Sequence, residues 1–120
     1  MKIRDGYEVK PLSHFQIAIT HNEKAICMLD GYNMHPTKQT AWFLEEIMWL
    51  KGTSPRERLE AMVAFCRSGV RAVGASRKKD FKFFKKIAKD GHLRKAGVLH
   101  RLFPDESAML WEVRSNDNEG

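Results

Sequence analysis

The chain has 120 residues, 42% of them hydrophobic, with 21 Lys and Arg against 15 Asp and Glu, a formal net charge of +6. That length fits a single domain with a real but modest core. No apolar stretch approaches the roughly 20 residues that span a bilayer, and the charged start Met1-Lys-Ile-Arg-Asp5 lacks the apolar region of a secretory signal, so a cytoplasmic protein is expected. Two unpatterned cysteines, Cys27 and Cys66, read as reduced core residues. Five histidines without metal-ligand spacing give no reason to expect a metal.

In chain order, Phe15-Gln-Ile-Ala-Ile-Thr20 alternates apolar and polar residues. The polar turn His21-Asn-Glu-Lys24 then leads to Ala25-Ile-Cys-Met-Leu29, so the segment reads as two strands opening a sheet. Asp30-Gly31 and the stretch from Asn33 to Gln39, with Pro36, break the pattern. The near-continuous apolar run from Thr40 to Leu50 reads as a central strand buried on both faces.

Lys51-Gly-Thr-Ser-Pro-Arg56 then stands between a strand and a helix. Ser54 is a candidate N-cap, Pro55 suits the first helical position and Glu57 completes a capping box. A helix that begins just beyond a strand aims unpaired N–H groups and its positive dipole end at the strand's carboxyl end, where an anion can bind. Lys51, Arg56 and Arg58 add formal charge there. Leu59, Met62, Val63 and Cys66 recur at helical steps, predicting a helix over 55–68 that Gly69 ends.

Val70 to Ala75 is a short strand, parallel to its predecessor because a helix joins them. Phe81, Phe84, Ile87 and Ala88 mark a second helix ending near Asp90-Gly91. Leu93 to Phe103 and Ala108 to Arg114 flank the turn cluster Pro104-Asp-Glu-Ser107 and predict a closing hairpin. The expected body is a single domain over 1–114, with its core at 15–114 and a flexible tail at 115–120. Between Arg77 and Lys95 stand nine basic and two acidic residues, a block that attracts polyanions.

The order strand, strand, strand, helix, strand, helix, strand, strand resembles the GNAT N-acetyltransferase superfamily over about Phe15 to Arg114. The stretch Phe83-Phe-Lys-Lys-Ile-Ala-Lys-Asp-Gly-His-Leu-Arg-Lys-Ala-Gly-Val-Leu-His100 is similar to the family's late signature of an aromatic helix, a turn and a strand. In outline the chain also resembles small acetyltransferase-like proteins of tailed phages. The resemblance implies an α/β fold: a GNAT-like mixed, twisted sheet of about six strands with two main helices. The family's two N-terminal helices would be reduced or absent, since Met1 to His14 cannot hold them.

It further implies an acetyl-CoA-dependent N-acyltransferase that passes an acetyl group to an amine. Acetyl-CoA would lie between the strand at Thr40–Leu50 and the strand at Val70–Ala75. Its pantetheine arm would pair with backbone of Ile47, Met48, Trp49 and Leu50, and its pyrophosphate would sit on Lys51, Gly52, Thr53, Ser54 and Arg56. The loop departs from the family's Arg/Gln-x-x-Gly-x-Gly/Ala pattern by lacking its second glycine, and Pro55 has no N–H to donate. Glu46 is the candidate base, with Glu45 beside it on the strand. Where many members carry a tyrosine acid, this chain has Phe83 and Phe84.

The alternative implied is a catalytically reduced phage protein that acts by protein–protein binding, as a virion component or a modulator of a host factor. A protein partner or second copy would complete the open acceptor site. Nucleic-acid binding through Arg77 to Lys86 ranks behind both, because Phe81 and Phe84 have core spacing rather than a stacking arrangement.

Overall fold

The computed structural model describes residues 2–34, 41–103 and 106–113. In chain order the elements are β1 (Tyr7–Pro11), β2 (Gln16–His21), β3 (Lys24–Asn33), β4 (Trp42–Trp49), α1 (Pro55–Arg67), β5 (Ala72–Ser76), a 3-10 turn (Lys78–Asp80), α2 (Phe81–Lys89), β6 (Leu93–Phe103) and β7 (Glu106–Val113). The strands form one seven-stranded sheet in the order β1-β2-β3-β4-β5-β7-β6. Only β4 and β5 run parallel, so the sheet is mixed as expected.

The chain signals that act locally match the elements. Asn22 and Glu23 both take positive φ between β2 and β3, as a two-residue type I′ hairpin requires. At α1, Ser54 Oγ accepts from the Glu57 N–H at 3.0 Å and Glu57 Oε1 accepts from the Ser54 N–H at 2.9 Å, completing the capping box. Gly69, at φ 89°, follows the helix in the left-handed region that a glycine adopts without strain. Cys27 and Cys66 are buried and free, and burial pushes both thiols up to about 12.

The expected mixed sheet of about six strands is borne out with seven, because Tyr7–Pro11 pairs with Ile17–His21 as an edge strand. Two expectations need correction. Asp30 and Gly31 do not end β3, which runs on to Asn33 in register with β4. β4 is central, yet Glu45, Glu46 and Met48 are exposed, so it is buried on one face only. The tail at 115–120, together with Thr40, Pro104, Asp105 and Arg114, lies outside the described residues.

That one-sided burial follows from where the helices sit. α1 and α2 contact each other; α1 covers β1 to β3 while α2 covers β6. Ile17, Ile19, Leu29, Trp42, Val63, Phe65 and Ile87 form the centre of one continuous apolar core between the sheet and this helical layer. Among the described residues the other face of the sheet carries no helix, and residues 12–15 alone connect β1 to β2. No helix is long and apolar enough to cross a membrane among the described residues.

Candidate functional site

The site begins at a fault in the sheet. Asp30 pairs with Glu46 and Gly31 with Leu44, so Glu45 is an extra residue on β4, a β-bulge. Bulges bend the strand and increase its twist. The parallel ladder to β5 holds for Trp42↔Ala72, Phe43↔Val73 and Leu44↔Gly74 and then stops. From the bulge onward β4 stays with β3, while Ala75 and Ser76 pair with β7. The two parallel strands part.

The ladder phase shows which backbone groups face the gap. The Leu50 N–H donates to the Ile26 carbonyl at 2.9 Å, which makes Met48 opposite Met28 and Glu46 opposite Asp30 the hydrogen-bonded pairs. Ile47 and Trp49 are the non-hydrogen-bonded positions of that ladder, so their N–H and C=O groups point away from β3 and into the gap. Met48 and Leu50 turn theirs to β3.

A cleft of about 880 Å³ fills the gap. Its β4 wall is Phe43, Glu45, Glu46, Ile47 and Trp49, with Asp30 behind; its other wall is Ala75, Ser76, Arg77, Lys79 and Asp80; Pro55, Arg58, Phe83 and Phe84 close the helical side. Leu44, Ile47 and Trp49 pack toward the core, whereas Phe43 and Glu46 alternate to the helix-free side, so the cleft passes through the sheet. A smaller apolar hollow of about 40 Å³, bounded by Leu44, Ile47, Gly74, Ala75, Phe84 and Trp111 among others, lies where the strands part.

The structure thus brings Glu45, Glu46, Ile47 and Trp49 to one cleft. Strict alternation would send the two glutamates to opposite faces; the bulge lets both line the opening. Met48, Leu50, Lys51, Gly52, Thr53, Ser54 and Arg56 are not among its lining residues. The loop also spends much of its donor capacity on itself. Ser54 and Glu57 N–H groups serve the cap, the Thr53 N–H meets the Leu50 carbonyl at 3.3 Å, and Pro55 has none. Lys51, Gly52 (at φ 87°) and Arg56 are the loop residues left with backbone N–H groups outside this pattern.

Three contributors, Asp30, Phe83 and Ser76, are not evident from local sequence, and they stand beside Arg58, the cation expected at the start of α1. Asp30 faces Glu46 across the strands and accepts from Gln16 Nε2 at 3.1 Å. Arg58 donates from Nε to Thr53 Oγ1 at 3.1 Å and lays its guanidinium over the Trp49 ring, 5.4 Å from the centroid. Phe83 meets the same indole edge-on at 5.7 Å. Ser76, buried in the far wall, accepts from Trp111 Nε1 at 2.7 Å. Tyr7 and Tyr32 are both absent from the lining.

Behind the cleft mouth, Glu60 of α1 is 3% exposed and accepts from the Arg4 N–H at 2.9 Å, Arg4 Nε at 2.8 Å and Tyr7 Oη at 2.9 Å, with Arg56 Nε 3.6 Å away. Burial pushes this carboxyl up, but the Arg4 and Tyr7 hydrogen bonds outweigh it and hold the carboxyl down at about 2. Burial, then the bond to Glu60, pushes Tyr7 up to about 12.

The fold has a counterpart among solved structures. The chain is similar to the 1.31 Å crystal structure of a GNAT-family acetyltransferase from Bacillus cereus ATCC 10987, with a TM-score of 0.58 over 84% of this chain and 70% of that one, at 8% identity. The fold is GNAT-like. No protein-family model matches the chain, and no curated protein matches it. Within this GNAT-like frame β4 and β5 are the parting strands, α1 is the helix that begins at their open end and α2 supplies the aromatic wall. The connection from β1 to β2 is too short for any helix.

Proposed function

We propose that the protein is an N-acyltransferase that takes an acetyl group from acetyl-CoA and delivers it to an amine. The observation that carries this reading is the parting of β4 from β5 at the Glu45 bulge, which turns backbone donors and acceptors of Ile47 and Trp49 toward a through-sheet cleft. Such an unpaired strand edge fits an extended, amide-bearing arm, which can add to it as another strand would.

The residues present fit acetyl-CoA at the arm more fully than at the phosphates. Because the cap and the turn occupy the Ser54 and Thr53 N–H groups and Pro55 has none, the anionic end is left to the Lys51, Gly52 and Arg56 N–H groups, the positive end of α1 and the side chains of Lys51, Arg56 and Arg58. Bound there, acetyl-CoA supplies a thioester-activated acetyl group. Glu46, exposed at the cleft on the helix-free side, takes the proton from the incoming ammonium, and Asp30 and Glu45 add negative charge that draws the cation in. The Ile47 and Trp49 edges orient the arm, and Phe83 with Trp49 keeps water from its helical side. The phenyl rings of Phe83 and Phe84 carry no proton to give, so the departing thiolate takes its proton from solvent.

Calorimetric titration with acetyl-CoA, followed by acetyl transfer to a panel of amines, tests the proposal. Saturable heat and turnover are expected; no heat and no thermal shift at millimolar acetyl-CoA would remove it.

A further inference from the structure

The outer face of α2 is a run of cations whose only acids along the segment are Asp80 at its start and Asp90 at its end. Lys82, Lys85, Lys86 and Lys89 fall within one side of the helix, and Lys78 and Lys79 extend the row through the preceding 3-10 turn. All six are exposed, and none has an ion pair among the described residues. Lys85 alone leans on a ring, its Nζ 5.9 Å from the Phe81 centroid. A solvated helix face is ordinarily laced with opposite charges at i,i+4; here Lys78–Lys82, Lys82–Lys86 and Lys85–Lys89 are like-charge pairs at that spacing and repel. Lys78, Lys79 and Lys82 also crowd the start of the helix, where the dipole is already positive. Stability does not explain this face, and a polyanion relieves every one of these repulsions.

We propose that the face running from Lys78 to Lys89 docks on the phosphate backbone of duplex nucleic acid, through lysines of which only Lys79 also borders the cleft. A duplex fits better than a single strand because the rings of this segment are committed inward. Phe81 and Phe84 pack on Trp111 at 5.7 and 5.9 Å, and Phe83 packs on Trp49. The ring beside the lysines, Phe81, is engaged by Trp111 and Lys85, so recognition is by charge along a phosphate row and carries no sequence preference.

Fluorescence anisotropy with a labelled 20-base-pair DNA duplex of arbitrary sequence, across 50 to 200 mM salt, tests this. About four phosphates neutralised give a log–log salt slope of about −4, hence a loss of roughly 200-fold over that range. The double variant Lys82→Gln with Lys86→Gln is expected to reduce the slope by about 2 and weaken binding at least tenfold at 100 mM salt. The charge-matched pair Lys10→Gln with Lys24→Gln, on β1 and β3 in the other half of the sheet, should stay within twofold of the parent. Equal effects of the two pairs, salt-independent binding, tighter binding of the single strand, or displacement by polyglutamate at equal charge would each overturn the proposal. Since the readout is binding alone, it stands or falls apart from acetyl transfer.

Discussion

Gly31 lies so close to β4 that a Cβ on it would sit 2.0 Å from the Phe43 carbonyl oxygen and 2.8 Å from Leu44 Cα. Its φ is not in the left-handed region, so it is glycine for want of room rather than for conformation. That contact falls at the register shift where β4 bulges and leaves β5.

Gly31→Ala should therefore push β4 back at the bulge, because the atoms in the way are backbone and cannot rotate aside. A destabilisation of about 1–3 kcal/mol is expected from overpacking of this kind, read from chemical denaturation. Acetyl-CoA affinity should fall as well, measured on the fraction still folded. Full stability and unchanged affinity would separate the bulge from the cleft.

Replacing the acid beside the opening tests chemistry without touching the core. Glu46→Gln is expected to lower turnover by about 10²- to 10⁴-fold, the usual contribution of a positioned base, with acetyl-CoA affinity kept. Glu45→Gln, at the bulge itself, should cost less. If the two variants lose the same small factor, neither carboxylate acts as the base.

Glu60 sets a pH-dependent term in stability. Its folded value of about 2 lies below the ordinary 4.5, so the stabilisation is complete above pH 4.5, declines between 4.5 and 2, and is gone below that. Urea denaturation of the parent and Glu60→Gln should show a stability gap that is wide at pH 6 and narrows steadily toward pH 2.5. A gap of constant width would mean that the carboxylate is not charged and bonded as described.

The cap of α1 makes a simpler claim. Ser54→Ala removes the acceptor for the Glu57 N–H and should cost about 1 kcal/mol. Arg58→Ala leaves that cap intact but strips the cation from Trp49 and the cleft, so it should weaken acetyl-CoA binding with little effect on stability. Loss of binding in Ser54→Ala alone would shift the phosphate role from the side chains to the helix end.

Sequence reasoning reached the parts of this molecule that local chemistry specifies. Ser54, Pro55 and Glu57 mark the start of α1 because capping acts within four residues, and Asn22-Glu23 marks a hairpin for the same reason. The GNAT-like succession of elements was likewise legible along the chain, although not the insertion of β7 between β5 and β6. β1 was not, since Tyr7-Glu-Val-Lys-Pro11 owes its extended form to β2 and is a polar edge on its own. Asp30-Gly31 carries a turn signal by composition, yet the bulge puts Gly31 in mid-strand. Glu60 looks like any outward helical glutamate until Arg4 and Tyr7, 56 and 53 residues away, close on it. Asp30 joins the cleft only through a register that no single segment determines.

The bare side of the sheet shapes how the chain tolerates change. With a helical layer on one side only, β1 presents Tyr7 and Val9 to the interior and Glu8 and Lys10 to water. Saturating mutagenesis of this strand should give a sawtooth, intolerant at Tyr7 and Val9 and permissive at Glu8 and Lys10, so the bare side of this edge can take new side chains at no expense to the interior.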